Sequence, residues 1–242
     1  MHAFAISGKG GTGKTVLSAL IVRELMKKGC VLAIDADADS NLPEALGADI
    51  AGTVGDIREE LLEKKYSLPP QYSKDVWLEG KTYEILSEND GFDLLVMGRP
   101  EGPECYCMVN NLLRRIMDIL AENYDYLVID SEAGLEHISR RTTIGVQDMI
   151  VVVDGSRRSL KTAERIKTLV KELEARFDHL YMVINNHTNR SVEESRGEET
   201  GLQSLGSIPY DPEIEKACYQ GDPLPEHSVA GEAIHQLLEK IL

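Results

Sequence analysis

The apolar run Ala3–Ser7 passes straight into Gly8-Lys9-Gly10-Gly11-Thr12-Gly13-Lys14-Thr15, and a helical pattern follows through about Lys28 before ending at Gly29. This order of strand, glycine-rich loop and helix restricts the fold more than any other feature. A loop of the form G-x-x-x-x-G-K-[ST] in that setting is built to wrap a polyphosphate. Its glycines let backbone N–H groups turn inward, and the helix N-terminus adds positive potential. Lys14 is then expected to bridge the β- and γ-phosphates and Thr15 to ligate Mg²⁺, with Gly8, Gly10, Gly11, Thr12, Gly13 and Val16 completing the nucleotide contacts.

The next apolar run, Val31–Ile34, is short and continuous, as expected of a strand covered on both faces, so strand, helix and strand make a right-handed βαβ unit. Strand-like runs recur at Asp93–Met97, Tyr126–Ile129, Met149–Val153 and Leu180–Ile184, and helical patterns at Asn110–Glu122, Ser159–Arg176, Glu213–Tyr219 and Glu232–Leu242. Such alternation predicts an α/β fold: one doubly wound, mostly parallel sheet with helices on both faces, in a single domain spanning 1–242. The stretch from about Lys64 to Gly91, with Pro69-Pro70, three tyrosines and the only tryptophan, Trp77, interrupts the rhythm. Together with the patch Gly98–Glu104 it predicts an irregular excursion at about 64–107 that ends in Cys105-Tyr106-Cys107.

Charge narrows the set of partners. Lys and Arg number 26 against 41 Asp and Glu, a net charge of −15 that repels nucleic-acid phosphates and anionic lipid. No Lys/Arg cluster suggests DNA contact, and Glu232–Leu242 lacks the basic face of a membrane-targeting helix, so neither nucleic acid nor membrane is an expected partner. No apolar stretch approaches the ~20 residues of a membrane span, and the N-terminus lacks a signal peptide's charged-then-apolar order; a cytoplasmic protein is expected.

Asp35, Asp37 and Asp39 alternate just beyond Val31–Ile34, at the carboxyl end of a strand, where open α/β sheets bind ligands. Three carboxylates so close repel one another unless a cation or a reacting water lies among them, and Mg²⁺ meets that need. Tyr126–Ile129 likewise ends in Asp130, the strand-end aspartate that holds Mg²⁺ in P-loop sites.

Lys9 carries more information than the generic loop. A second lysine directly after the first glycine resembles the deviant Walker A group of P-loop NTPases, which includes MinD, ParA, the nitrogenase iron protein and the arsenite-pump ATPase. The resemblance implies ATP hydrolysis in a homodimer, with Lys9 reaching the partner's nucleotide and stabilising the transferring phosphoryl group as an arginine finger does. It also implies that Asp37 orients or deprotonates the attacking water, with Asp39 as the other candidate, and that Asp35 acts through Mg²⁺-bound water. By the same likeness Asn41 lies near the nucleotide of either subunit, Asn185 reads adenine and Pro209 marks the adenine-side loop. Ser131-Glu132-Ala133-Gly134 resembles the second switch, whose backbone swings toward the γ-phosphate. The chain departs from the group at Thr12, Val16 and Asn186, and at Ala38, where proline is frequent; Ala38 makes the first switch less rigid.

Four cysteines are too few for a disulfide scaffold, which directs attention to the pair Cys105 and Cys107. Gly102 and Pro103 just upstream are expected to bend the chain into a hairpin, from which two thiolates grip one face of a soft metal ion but seldom hold it alone. Two such motifs apposed across a dimer axis give four thiolates, which suit tetrahedral Zn²⁺, square-planar Ni²⁺ or an iron–sulfur cluster. With the Gly98–Glu104 insert, and with Ala133-Gly134-Leu135-Glu136-His137 after Asp130, the C-x-C resembles the CooC group of nickel-insertion ATPases over nearly the whole chain. That resemblance implies a metallochaperone whose dimer-bridging Cys105/Cys107 pairs bind Ni²⁺, with Zn²⁺ able to occupy the same site. Its implied partner is the apoenzyme of carbon monoxide dehydrogenase; the related AcsF group, which matures acetyl-CoA synthase, shares these features. An iron–sulfur carrier and a positioning ATPase of MinD or ParA type are the competing functions. Cys30 and Cys218 lack partner spacing and are expected as small buried fillers, His137 as a polar residue of the switch helix, and the other histidines carry no role.

Overall fold

In the computed structural model, which describes residues 1–63, 74–98, 105–131, 145–172, 177–185 and 200–242, every strand expected from an apolar run is present. For residues 74, 75, 105–110 and 121 the backbone alone is described. The strands are β1 (His2–Gly8), β2 (Val31–Asp35), β3 (Ser87–Glu88), β4 (Phe92–Val96), β5 (Tyr126–Asp130), β6 (Asp148–Val153), β7 (His179–Asn185) and β8 (Gln203–Ile208). They form one sheet in the order β3-β4-β2-β5-β1-β6-β7-β8, parallel throughout except between β3 and β4. From β1 the chain first moves outward to β2 and β4, and after β5 it moves to β6, β7 and β8 on the other side. This reversal opens a crevice at the carboxyl end of β1, where the glycine-rich loop lies.

Residues of both parities are apolar along β1 because helices cover both faces. Phe4 and Ile6 pack with α1 (Lys14–Leu25), α2 (Leu42–Leu46), α7 (Pro212–Gln220) and α8 (Val229–Leu238). Ala3 and Ala5 meet the opposite layer of α3 (Val54–Glu63), α4 (Lys74–Ile85) and α5 (Cys105–Leu120). Ala5 pairs in register with Met149, so α6 (Arg157–Glu172), packed on Met149, Val151 and Val153, belongs to that same layer. The apolar face of α8 is spent on this core through Ala230, Ile234, Leu237 and Leu238. Among the described residues no helix is long and apolar enough to cross a membrane.

The expected irregular excursion at 64–107 is corrected by the structure over much of its length. Residues 74–85 form α4, which sends Leu78 and Ile85 into the core, while β4, hydrogen-bonded to β2 inside the sheet, is the strand expected from the run Asp93–Met97. Gly80 and aromatic residues lower the intrinsic helicity of α4, and tertiary packing overrides that weakness. Cys105 and Cys107 belong to the first turn of α5, not to a hairpin. Arg99–Glu104 lies outside the described residues. The edge strand β8 also escapes the sequence pattern: it is half polar, and its pairing with β7 is irregular at Met182/Val183.

Two histidines without an expected role fasten the far end of the sheet. His2 Nε2 and His179 Nδ1 hydrogen-bond opposite oxygens of the fully buried Asp148 at 2.6 and 2.9 Å, joining the first residues of β1, β6 and β7.

Candidate nucleotide-binding site

The glycine-rich loop leaves β1 through Gly8, at φ 152°, where an added Cβ would come within 2.4 Å of the Val152 carbonyl. The Thr12 hydroxyl donates to the Lys9 carbonyl at 2.8 Å and holds the loop's curve. Asn185, at the end of β7, donates its side-chain amide to the Thr12 carbonyl at 2.9 Å. A Cβ on Gly13, whose φ is +86°, would meet that amide nitrogen at 2.2 Å, so the loop and Asn185 close on each other only because Gly13 is glycine. α1 then begins with no side-chain cap and no acidic residue in its first turn. By contrast, Asp211 caps α7 by accepting from the N–H groups of Glu213 and Ile214 at 3.0 and 3.4 Å. The uncapped N–H groups of α1, with Lys14 beside them, fit a polyphosphate.

Asp35 and Asp130 pair in register across β2 and β5, so both carboxylates emerge at the same end of the sheet. Asp130 is 1% exposed; it accepts the Ser18 hydroxyl at 3.0 Å and the Thr15 hydroxyl, with the Lys14 charge nearby. Burial nonetheless pushes its carboxyl up to about 6. Asp35 is pushed up to about 7, first by burial and further by the Asp130 charge, against hydrogen bonds from the N–H groups of Leu42 and Asp37 at 2.9 and 3.0 Å. Those two bonds tie the loop after β2 to the strand end. A cation relieves both carboxylates at once, and the donor set, the Thr15 hydroxyl with Asp130 behind it, suits Mg²⁺ that keeps part of its water shell.

Ser18 was not singled out in the sequence, although it stands one helical turn beyond Lys14 on the same face. Ser18→Ala is expected to weaken Mg²⁺–ADP binding by about 1 kcal/mol, roughly fivefold, through the lost bond to Asp130. Isothermal titration checks this, and unchanged affinity would show that the bond serves folding alone.

Two adjoining cavities open beside the glycine-rich loop. One of about 630 Å³ is lined by Lys14, Thr15, Asp37, Asp39 and Asn41, with Glu44 and Asp222 adding acid that the motif does not foretell. The other, about 270 Å³, lies among Val16, Leu17, Asn185, Ile208, Pro209 and Tyr210 and has the apolar walls of a base slot. Gly11, Gly13, Val16 and Cys218 border both. Cys218 is therefore no buried filler: it is exposed on α7 where the two cavities meet, and Cys30 is exposed too, ahead of β2. The Lys9 ammonium lies 3.3 Å from its neighbour Gly10's carbonyl.

Several expected site residues lie outside this geometry. Of the second-switch segment only Ser131 is described; its hydroxyl donates to the Ile6 carbonyl at 2.8 Å, and Glu132, Ala133, Gly134 and His137, like Asn186, lie outside the described residues. Cys105 and Cys107 are placed by backbone alone. α5 follows β4, whose carboxyl end points the same way as that of β2, so the helix starts at the nucleotide end of the sheet. Among the described residues, no group of three or more His, Cys, Asp and Glu is arranged to hold a metal ion.

A phosphate loop on the central strand, a buried aspartate on the neighbouring strand and a doubly wound parallel sheet define a P-loop NTPase fold. The chain belongs to the CobQ/CobB/MinD/ParA nucleotide binding domain family, which it matches over residues 3–224. It is 48% identical to an uncharacterized ATP-binding protein of Methanocaldococcus jannaschii, over 98% of this chain and 97% of that one. It is 30% identical to the carbon monoxide dehydrogenase accessory protein CooC of Rhodospirillum rubrum, over 90% of each chain. The septum site-determining protein MinD of Pyrococcus horikoshii, solved with Mg-ADP, has the same fold, with a TM-score of 0.67, 19% identity and coverage of 99% of this chain and 95% of that one.

Proposed function

We propose that this protein is an ATP-hydrolysing metallochaperone that works as a symmetric dimer and inserts nickel into the active-site cluster of carbon monoxide dehydrogenase. The observation that carries the reading is the likeness to CooC over 90% of both chains, in a chain whose C-x-C opens a helix at the nucleotide end of the sheet. Lys14 and the uncapped start of α1 bind the phosphates of ATP, Thr15 and Asp130 hold Mg²⁺, and Asn185 and Pro209 border adenine. Asp37, open to the larger cavity, accepts a proton from the attacking water, while Lys9 of one protomer stabilises charge on the phosphoryl group bound by the other. The cargo ion need not touch the phosphates. Nucleotide and metal are coupled if each favours the closed dimer, in which two Cys105/Cys107 pairs face one another, and hydrolysis then permits opening and release. Acetyl-CoA synthase, a second nickel enzyme, is the alternative client.

The test is anaerobic titration of Ni²⁺ and Zn²⁺ into the apoprotein, with mass determination in solution, with and without ATP, beside a Cys105→Ala/Cys107→Ala variant. One metal per dimer, lost in the variant, is expected. Absence of cysteine-dependent binding in every nucleotide state would overturn the metal cargo, and a brown, visibly absorbing protein would replace nickel delivery by iron–sulfur transfer.

A further inference from the structure

α6 reverses the electrostatic character of the chain. Its 16 residues hold Arg157, Arg158, Lys161, Arg165, Lys167 and Lys171 against Glu164 and Glu172, in a protein of net charge −15. At 3.6 residues per turn, Arg157, Arg158, Lys161 and Arg165 fall within an arc of about 100° and a length of about 12 Å. All four are exposed, opposite the Leu160, Ala163 and Ile166 stripe that packs on β6 and β7. Glu164 lies to one side of the arc, and Glu172 is two turns beyond Arg165. Among the described residues none of the four side chains has an ion-pair partner.

This arrangement opposes the helix's own stability. The first turn of α6 carries two arginines and no acidic residue, although the positive end of the helix dipole favours the reverse. The cap itself is conventional, with the Ser156 hydroxyl accepting the Ser159 N–H at 3.2 Å and Asp154 accepting the Ser156 N–H at 2.9 Å. Local electrostatics broken at one place, with the cap intact, marks a surface shaped for something outside the chain. It also lies at the active end of the molecule: Val152 of β6 pairs with Gly8 of the phosphate loop, and α6 starts five residues later.

We propose that the exposed face of Arg157, Arg158, Lys161 and Arg165 is a docking surface for an acidic patch on a folded partner protein. A nucleic-acid duplex fits it less well, because a duplex runs past a 12 Å stripe (about two helical turns) in both directions and meets the acidic remainder of the surface, whereas a compact carboxylate patch meets α6 alone. The proposal stands apart from the metal reading, since it needs neither Cys105 nor Cys107.

The probe is a fluorescent helical peptide with glutamate at positions i, i+4 and i+8, matching Arg157, Lys161 and Arg165, beside its glutamine counterpart and a short DNA duplex. Anisotropy is read on the full chain, with and without ATP, at low and high salt. The glutamate peptide is expected to bind about tenfold or more tightly than the glutamine peptide, with affinity falling as salt rises. Arg157→Glu/Lys161→Glu/Arg165→Glu should abolish the difference, and Lys28→Glu, exposed beyond α1, should not. Equal binding by the triple variant overturns the proposal, as does a duplex that binds more tightly than the peptide. Retained ADP binding and an unchanged melt in the triple variant separate lost docking from lost folding.

Discussion

In the proposed dimer, Lys9→Ala is expected to leave ATP binding about as strong as in the unmodified protein and to slow hydrolysis about 10³-fold, the scale of a cation delivered to the transferring phosphoryl group. The Lys9 ammonium lies 3.3 Å from the carbonyl of its neighbour Gly10, while the curve of the loop is held by Thr12 and Asn185; removing the amine leaves the cradle intact. Lys14→Ala, at the N-terminus of α1, is expected to lose nucleotide binding as well as turnover. The two lysines are thus separable by comparing ADP affinity with kcat. Mixing decides which protomer Lys9 serves. If Lys9 acts on the partner's nucleotide and Asp37 on its own, a Lys9→Ala protomer combined with an Asp37→Ala protomer yields one site with both groups and one with neither. Activity then returns to about half in each mixed dimer, although each parent is inactive. Mixtures that stay as inactive as their parents would falsify the assignment of these two residues to opposite subunits.

What the sequence makes legible is what local pattern and backbone chemistry decide. The β1–loop–α1 unit, the strand ends at Asp35 and Asp130, and the central parallel strands follow from short apolar runs and from glycines whose φ no other residue adopts easily. α4 and β8 are legible poorly, because each is held by neighbours: α4 contains Gly80, and β8 is a half-polar edge. Site residues divide the same way. Lys14, Thr15 and Asp130 belong to motifs, whereas Ser18 enters through its hydroxyl bond to an aspartate 112 residues away, and Cys218 through the approach of α7 to the phosphate loop. The cationic face of α6 is of the second kind too. Its residues are scattered over nine positions in the linear chain, and only the helical turn gathers them opposite a buried stripe.

Stability of the nucleotide-free protein is expected to fall as pH rises from about 5 to 8, a direction set by the two carboxylates at the strand ends. Asp35 and Asp130 ionise near 3.8 when unfolded and near 7 and 6 when folded, so within that window the folded chain retains protons that the unfolded chain has released. Stability therefore declines with rising pH through the window, half of the Asp35 protons being lost at about 7, and the decline levels off near 8. At ~1.4 kcal/mol per tenfold change in proton affinity, the effect is on the order of 4 kcal/mol. Mg²⁺–nucleotide reverses the balance, because the cation and Lys14 favour the charged carboxylates that bare burial disfavours. Thermal unfolding at pH 5.5 and 8.0 should accordingly show a lower apo Tm at pH 8.0 and a larger Mg²⁺–ADP stabilisation there. General self-repulsion in an acidic chain also grows with pH, so Asp130→Asn provides the control: it keeps an acceptor for Ser18 while removing one titration, and should flatten the apo profile. A variant with the same slope as the unmodified protein would assign the pH dependence to net charge, and the strand-end pair would then be a site already relaxed before any cation arrives.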